Sequence, residues 1–123
     1  MKILVPTAGA RAAKDNAEYI LRIVATLNAE LVALHVLRTG EPQAVGEAAV
    51  GVFADMGKKG KVQVKTIVKR GDVVATILET AKEEDAQLIV MGASLGKVVD
   101  EWMSADALNK TAVPVVVIPH GIR

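Results

Sequence analysis

The stretch that decides the fold is residues 88–119, LIVMGASLGKVVDEWMSADALNKTAVPVVVIP. It begins with an apolar run at 88–91, passes through Gly92 and Gly96, and ends in a second apolar run at 115–118. Continuous apolar runs indicate strands buried on both faces, as in a parallel sheet. The residues between them predict a helix that joins the two strands. Glycines directly after such a strand allow a sharp turn and a close approach to a bound phosphate.

Upstream of this stretch, strands and helices alternate along the chain. The sequence predicts strands at 2–7, 30–37 and 61–69, and helices at about 14–28, 43–59 and 73–84. The order βαβαβαβαβ predicts an α/β, Rossmann-like fold, a three-layer doubly wound sheet of five parallel strands with four helices. Ligands of such sheets bind beyond the carboxyl ends of the strands, where strand order reverses. We expect a single domain over residues 1–123.

Two of these elements depart from the ideal pattern. Lysine and glutamine side chains alternate with valines in the first half of 61–69, so this strand is predicted at a sheet edge, where lysines discourage pairing with other chains. The helix at 43–59 is predicted to be marginal, because Gly46, Gly51 and Gly57 each lower helix stability by about 1 kcal/mol relative to alanine.

The composition excludes several functional classes. Aromatic residues make up only 2% of the chain, too few for the base-stacking platforms of nucleic-acid modules. The net charge of +1 gives no overall field that favours nucleic acid or a membrane surface, and the absence of cysteine excludes thiol chemistry. No apolar run reaches the length of a membrane span, and the first residues lack a secretory pattern. We therefore expect a cytoplasmic protein.

The motifs that would indicate catalysis are incomplete. The loop after residue 91 resembles a P-loop, but it has three residues between its glycines instead of four, and Val98 follows the lysine where Ser or Thr is needed. His35 and His120 have no partner at metal-ligand spacing and are interpreted as core and terminal residues. Ser94 and Ser104 lack a base nearby in the sequence and are interpreted as turn or cap residues. We predict no enzyme activity, no catalytic residue and no metal site.

Five pieces of the chain together resemble the universal stress protein (UspA-type) family. They are KILVPT at 2–7 with Gly9, residues 28–36, Gly71-Asp72 with 77–79, LIVMG at 88–92 and VPVVVIP at 113–119. The resemblance implies the strand order 3-2-1-4-5 of adenine nucleotide alpha hydrolase-like folds. It also implies homodimers joined through the last strand, and a crevice beyond strands one and four.

Members of this family that bind ATP carry an aspartate after the first strand and a longer glycine loop, and this chain departs at both places. Ala8 stands where the aspartate would be, and Glu101-Trp102 stand where binders have Gly-[ST]. A glutamate repels a triphosphate, and a tryptophan prevents the close approach that glycine allows. We therefore expect no cofactor, although ATP or AMP remains an alternative. The positions that still match the family's crevice are Pro6, Thr7, Gly9, Val36, Met91, Gly92, Gly96 and, in another register, Ser104.

The sequence favours a stress-response or regulatory protein that acts through homodimerisation and protein contacts rather than through ATP. The predicted dimer surface is the last strand, because Val115, Val116, Val117 and Ile118 carry no charge that would prevent edge pairing. The alternative is a nucleotide-binding switch or weak ATPase with a degenerate loop. A third possibility is a module of a larger transporter or kinase regulator.

Overall fold

The computed structural model describes residues 1–96, 99–100, 111–119 and 122. Its elements in chain order are β1 (Lys2–Thr7), α1 (Ala10–Thr26), β2 (Glu30–Leu37), α2 (Gln43–Gly60), β3 (Val64–Arg70), α3 (Val73–Glu83), β4 (Leu88–Gly92), a 3₁₀ turn (Ala93–Leu95) and β5 (Val115–Ile118). The helix predicted between the last two strands falls largely on residues 97–98 and 101–110, which lie outside the described residues.

The sheet has five parallel strands in the order β3-β2-β1-β4-β5. The predicted α/β fold class, strand order and edge position of β3 are therefore confirmed. Strand order reverses at β1, which pairs with β2 on one side and with β4 on the other. The ends of these strands thus form the switch point at which ligands bind in doubly wound sheets.

The core is divided by the sheet into two layers. Ile3 and Val5 point to one side, where they pack with Ile20 of α1 and Phe53 of α2. Leu4 points to the other side and packs with residues that include Ile77 of α3. Successive residues of a strand face opposite sides of the sheet, so a strand in the middle of three layers must be apolar throughout. In the described ranges, no helix combines the length and apolar composition that a bilayer crossing requires.

Helix α1 begins at Ala10, earlier than the sequence predicted. The preceding Gly9 has a φ of 136°, and no side chain caps the helix. The first turn consists mainly of alanines, which do not show the apolar spacing on which the prediction depended. Asn28, which follows the Leu27 cap of α1, has a left-handed conformation at φ 52°, which asparagine tolerates better than most residues.

Two of the glycines that lower the helix propensity of α2 have a role in packing the helix against the sheet. A Cβ at Gly46 would lie 2.6 Å from Val68 Cγ1 and 3.3 Å from His35 Cδ2. A Cβ at Gly57 would collide with the Val64 side chain, whereas one at Gly51 would meet nothing within 4 Å. The helix runs through all three positions, and two of the glycines let it lie close against the sheet.

The acidic end of α3 is paired with the lysines of β3. Lys69 Nζ donates to Glu83 Oε2 at 2.9 Å and to the buried Thr80 hydroxyl at 2.9 Å. Lys65 Nζ bonds to both carboxylate oxygens of Glu84. Glu79 of the same helix is exposed, whereas the Glu84 side chain is only 13% exposed.

Candidate functional site

A crevice of about 320 Å³ opens at the carboxyl ends of β1 and β2. Its walls also include Val73 at the start of α3 and Leu95 in the turn after β4. The polar residues that line it are Thr7, His35, Arg38, Glu41 and Ser94. The volume lies at the lower end of the range of small-molecule sites, and the position is the switch point of the sheet. We refer to this cavity as the crevice.

The floor of the crevice holds a hydrogen-bonded trio, Thr7–His35–Glu41. The Thr7 hydroxyl lies 2.9 Å from His35 Nδ1, and Glu41 Oε1 lies 2.7 Å from His35 Nε2. His35 is 2% exposed and Thr7 is 8% exposed. An ionised carboxylate only accepts hydrogen bonds, so with Glu41 ionised the ring must carry a proton on Nε2. In the neutral ring, Nδ1 is then the acceptor and Thr7 is the donor.

The sheet register and one turn bring the trio together. Thr7 is paired with His35 in the parallel register of β1 and β2. Glu41 is carried by the turn after β2, in which its backbone N–H donates to the Arg38 carbonyl at 3.0 Å. The Arg70 guanidinium at the end of β3 donates to the carbonyls of Arg38 and Glu41, at 2.7 Å and 2.6 Å. A planar guanidinium can hold two acceptors at once, which fixes this turn.

The residues predicted from the family pattern do not form one cluster. Thr7 and Val36 line the crevice. Gly9 precedes α1 and Gly96 ends the 3₁₀ turn, both with positive φ. Met91 of β4 is fully buried in the core on the α3 side of the sheet. Ser104 and the Glu101-Trp102 pair lie outside the described residues.

Pro6 and Gly92 line a second, much smaller cavity of about 10 Å³, roughly the space of one water molecule. The cavity is also lined by Asn16 of α1, a polar residue that is only 8% exposed. A Cβ at residue 92 would collide with the Asn16 carboxamide, so the glycine makes room for that side chain. Gly92 therefore has a packing role that the sequence interpretation did not include.

Sequence reasoning missed the trio, together with Asn16. His35 was interpreted as an isolated core histidine, and its burial agrees with that. The available signal was the parallel pairing of two predicted strands, since polar residues at neighbouring strand ends meet at one edge of a sheet. No cluster of three or more His, Cys, Asp or Glu side chains suited to a metal occurs in the part of the chain that the structure describes.

The edge strand β5 places the predicted dimer residues unequally. Val116 and Val117 are 41% and 38% exposed. Val115 packs against the core on the α3 side, and Ile118 is buried in the core on the α1 side. The surface that β5 offers to a partner therefore consists of its outer backbone edge and two valine side chains.

Comparison with known proteins decides the family. Residues 1–119 match the universal stress protein family model. The chain is also 32% identical over 136 aligned positions to universal stress protein Sll1654 of Synechocystis sp. (strain ATCC 27184 / PCC 6803 / Kazusa), covering 95% of this chain and 84% of that protein. The chain belongs to the universal stress protein family. The alignment is longer than the 123 residues of this universal stress protein, so its relative has residues for which this chain has no counterpart.

Solved universal stress proteins share the fold at low sequence identity. A universal stress protein in complex with cAMP superposes with a TM-score of 0.72 at 22% identity, covering 98% of this chain and 97% of the other. An Arabidopsis thaliana family protein with AMP bound gives 0.73 at 20% identity, covering 98% and 91%. The Archaeoglobus fulgidus protein in complex with dAMP gives 0.69 at 20% identity, covering 96% and 97%.

Proposed function

We propose that this universal stress protein is a cytoplasmic stress-response or regulatory protein that acts without catalysis, through homodimerisation along β5 and contacts with partner proteins. The observation that carries the proposal is the contrast between the two edges of the sheet. Edge β3 bears Lys65, Lys69 and Arg70, whereas edge β5 has the uncharged sequence VVVI with two exposed valines. Charged edge strands resist pairing, and an uncharged apolar edge is normally covered.

A second copy of the chain is the cover that fits β5 best. A twofold axis beside β5 pairs the same short strand with itself, so one self-complementary surface suffices. Pro114 precedes the strand and Pro119 follows it, which limits the pairing to the four residues between them.

Light scattering coupled to size-exclusion chromatography tests the dimer on the purified protein. We expect twice the mass of the 12.9 kDa chain at micromolar concentration. A mass of one chain under these conditions would contradict the proposal. A neutral buffer with moderate salt is suitable, since an apolar strand pairing depends little on ionic strength.

ATP binding in the manner of the family's ATP binders is not part of this proposal. Ala8 lies in the crevice wall at the place where those members carry an aspartate. The alanine side chain offers no hydrogen-bond acceptor to the nucleoside, so the contact that the aspartate side chain would make is missing. The crevice volume of about 320 Å³ is also small for a triphosphate with its counter-ion.

A second candidate function is the binding of a small adenine nucleotide in the crevice, as a switch or a weak ATPase. The observation that favours it is the polar floor of the crevice at the switch point, in a fold that relatives use to bind cAMP, AMP and dAMP. Denaturing the purified protein and separating the released small molecules on an anion-exchange column tests it. Stoichiometric AMP or ATP favours this second candidate. If no nucleotide is released, and calorimetry shows no heat of binding for cAMP, AMP or ATP, the second candidate is contradicted and only the dimer proposal stands.

A further inference from the structure

The trio Thr7–His35–Glu41 forms a buried hydrogen-bond chain that ends in the crevice. We propose that the crevice binds a small phosphate-bearing anion together with a proton taken up at His35, so that its affinity for the anion rises as the pH falls. This proposal rests on the second candidate function, the binding of a nucleotide in the crevice. It adds a chemical linkage between ligand and proton to that function.

The neutral trio presents an acceptor to the crevice. Because Nε2–H donates a hydrogen bond to Glu41, Nδ1 of the neutral ring is an acceptor and the Thr7 hydroxyl donates to it. The Thr7 oxygen then offers a ligand only its lone pairs, which accept hydrogen bonds. An anion, which has only acceptors, finds no donor at the Thr7 oxygen and is repelled by its partial negative charge.

A proton on His35 reverses this arrangement. Both ring nitrogens of an imidazolium are donors, so Nδ1–H donates to the Thr7 oxygen. The Thr7 hydroxyl can then turn and donate its hydrogen bond to another acceptor. The Thr7 hydroxyl becomes a donor that an anion in the crevice can use.

The charges around His35 add to the same effect. From the turn after β2, Glu41 contacts Nε2 and Arg38 lines the crevice. From β3, the Arg70 guanidinium bonds to the carbonyls of that turn. Strand β1 contributes the uncharged Thr7, and α2 approaches the ring through Gly46. With His35 neutral, the charges of Arg38 and Glu41 in the crevice wall cancel. With His35 protonated the wall carries a net positive charge that favours an anion.

Cyclic AMP is the appropriate probe for this linkage. Its phosphodiester keeps one negative charge throughout the neutral range, so any change of affinity with pH comes from the protein. Adenosine is the matched neutral ligand, with the same base and sugar and no phosphate. We expect the affinity for cAMP to rise by about tenfold from pH 8 to pH 6, a coupling of ordinary size. We expect a clearly smaller change for adenosine.

Calorimetry in buffers of different ionisation enthalpy counts the protons taken up on binding. For the native protein near pH 7, we expect the uptake of a measurable fraction of one proton per cAMP bound. His35→Gln keeps a hydrogen-bonding amide at this position but does not titrate, so its proton uptake and pH dependence should vanish. His120→Gln is the control, because it removes the other histidine of the sequence and leaves both effects intact.

The outcomes separate the proposal from the function on which it rests. Binding of cAMP with no proton uptake and no pH dependence overturns the linkage and leaves the nucleotide-binding function standing. No binding of cAMP, AMP or ATP at any pH overturns both. If His35→Gln does not fold, the proton count of the native protein still decides. The imidazole resonances of His120→Gln, which come from His35 alone, then show by NMR whether cAMP shifts the titration of that ring upward. An unchanged titration contradicts the proposal.

Discussion

Lys65 Nζ lies 2.9 Å from Oε1 and 3.0 Å from Oε2 of Glu84, which ties the edge strand β3 to the end of α3. Lys2 Nζ lies 3.7 Å from the same carboxylate. The hydrogen bond from Lys65 and the charges of the two lysines hold the pKa of Glu84 below its ordinary value, against the opposing effect of burial. This carboxylate therefore makes stability depend on pH.

Replacing Glu84 with Gln should lower the free energy of unfolding at neutral pH by less than about 1 kcal/mol, the usual size for a partly exposed pair. A carboxyl whose pKa is lowered by folding stabilises the folded state above its unfolded pKa and loses that effect as the pH falls through the folded pKa. The difference in the free energy of unfolding between the native protein and the variant should thus shrink below about pH 4.3. Urea unfolding followed by circular dichroism at several pH values measures it. Glu79→Gln, on an exposed residue of the same helix, should show no such convergence.

Replacing Gly46 with Ala should destabilise the protein even though alanine is the better helix former. The new Cβ would lie 2.6 Å from Val68 Cγ1, so the helix or the strand must shift. Overpacking of this kind costs about 1–3 kcal/mol, which exceeds the roughly 1 kcal/mol gained in helix propensity. Gly51→Ala is the matched control in the same helix, because its Cβ would meet nothing within 4 Å. That variant should be more stable than the native protein by about 0.5–1 kcal/mol in urea unfolding. Stabilisation by Gly46→Ala would contradict the close approach of α2 to the sheet.

Replacing Val117 with Lys should convert the proposed dimer into a monomer. Val117 is 38% exposed on the β5 edge, so a lysine there can reach solvent in the monomer but meets a like charge across a twofold pairing. Light scattering gives the mass, and circular dichroism shows whether the fold is retained. Thr66→Lys makes the same change at an exposed residue of β3, the opposite edge, and should leave the dimer intact. A Val117→Lys protein that remains dimeric would place the interface elsewhere.

Replacing Arg70 with Lys should loosen the turn that carries Glu41. The guanidinium holds the carbonyls of Arg38 and Glu41 together, and a single ammonium cannot reproduce that planar pair of donors. We expect about 1 kcal/mol of lost stability and faster hydrogen exchange at the Glu41 amide, which donates to Arg38. Hydrogen exchange measured by NMR reports the turn separately from the rest of the chain. Arg22→Lys on α1, where the guanidinium stacks on Tyr19, is a control that should leave the exchange of Glu41 unchanged.

Much of the fold could be predicted from the sequence because it depends on local pattern. The apolar runs at β1, β2 and β4 are long enough to identify buried parallel strands without knowledge of their partners. The polar residues of 61–69 indicated an edge position for β3, although the strand begins only at Val64. Asp72 caps α3 locally by accepting from the backbone N–H of Ala75 at 3.0 Å. These features are each determined by a few neighbouring residues.

The crevice could not be predicted to the same extent, because its chemistry depends on contacts between distant residues. Thr7 and His35 are separated by 28 positions in the sequence and meet only through the register of two strands. Glu41 contacts His35 from a turn whose carbonyls are bound by Arg70, a residue of a third strand. Gly92 was predicted only as a position that matches the family's crevice, but it makes room for Asn16 of α1. Local sequence patterns do not predict such contacts between distant residues.

The different chemistry of the two sheet edges has a consequence for the size of the assembly. In a twofold dimer joined at β5, the sheets of both protomers become one, and both of its ends are β3 strands. Lys65 and Lys69 of each end strand are already engaged by Glu84 and Glu83 of their own protomer. A third copy would have to break these ion pairs and bring like charges together. The same strand that marks one end of the monomer would therefore stop growth into fibres and fix the assembly at two chains.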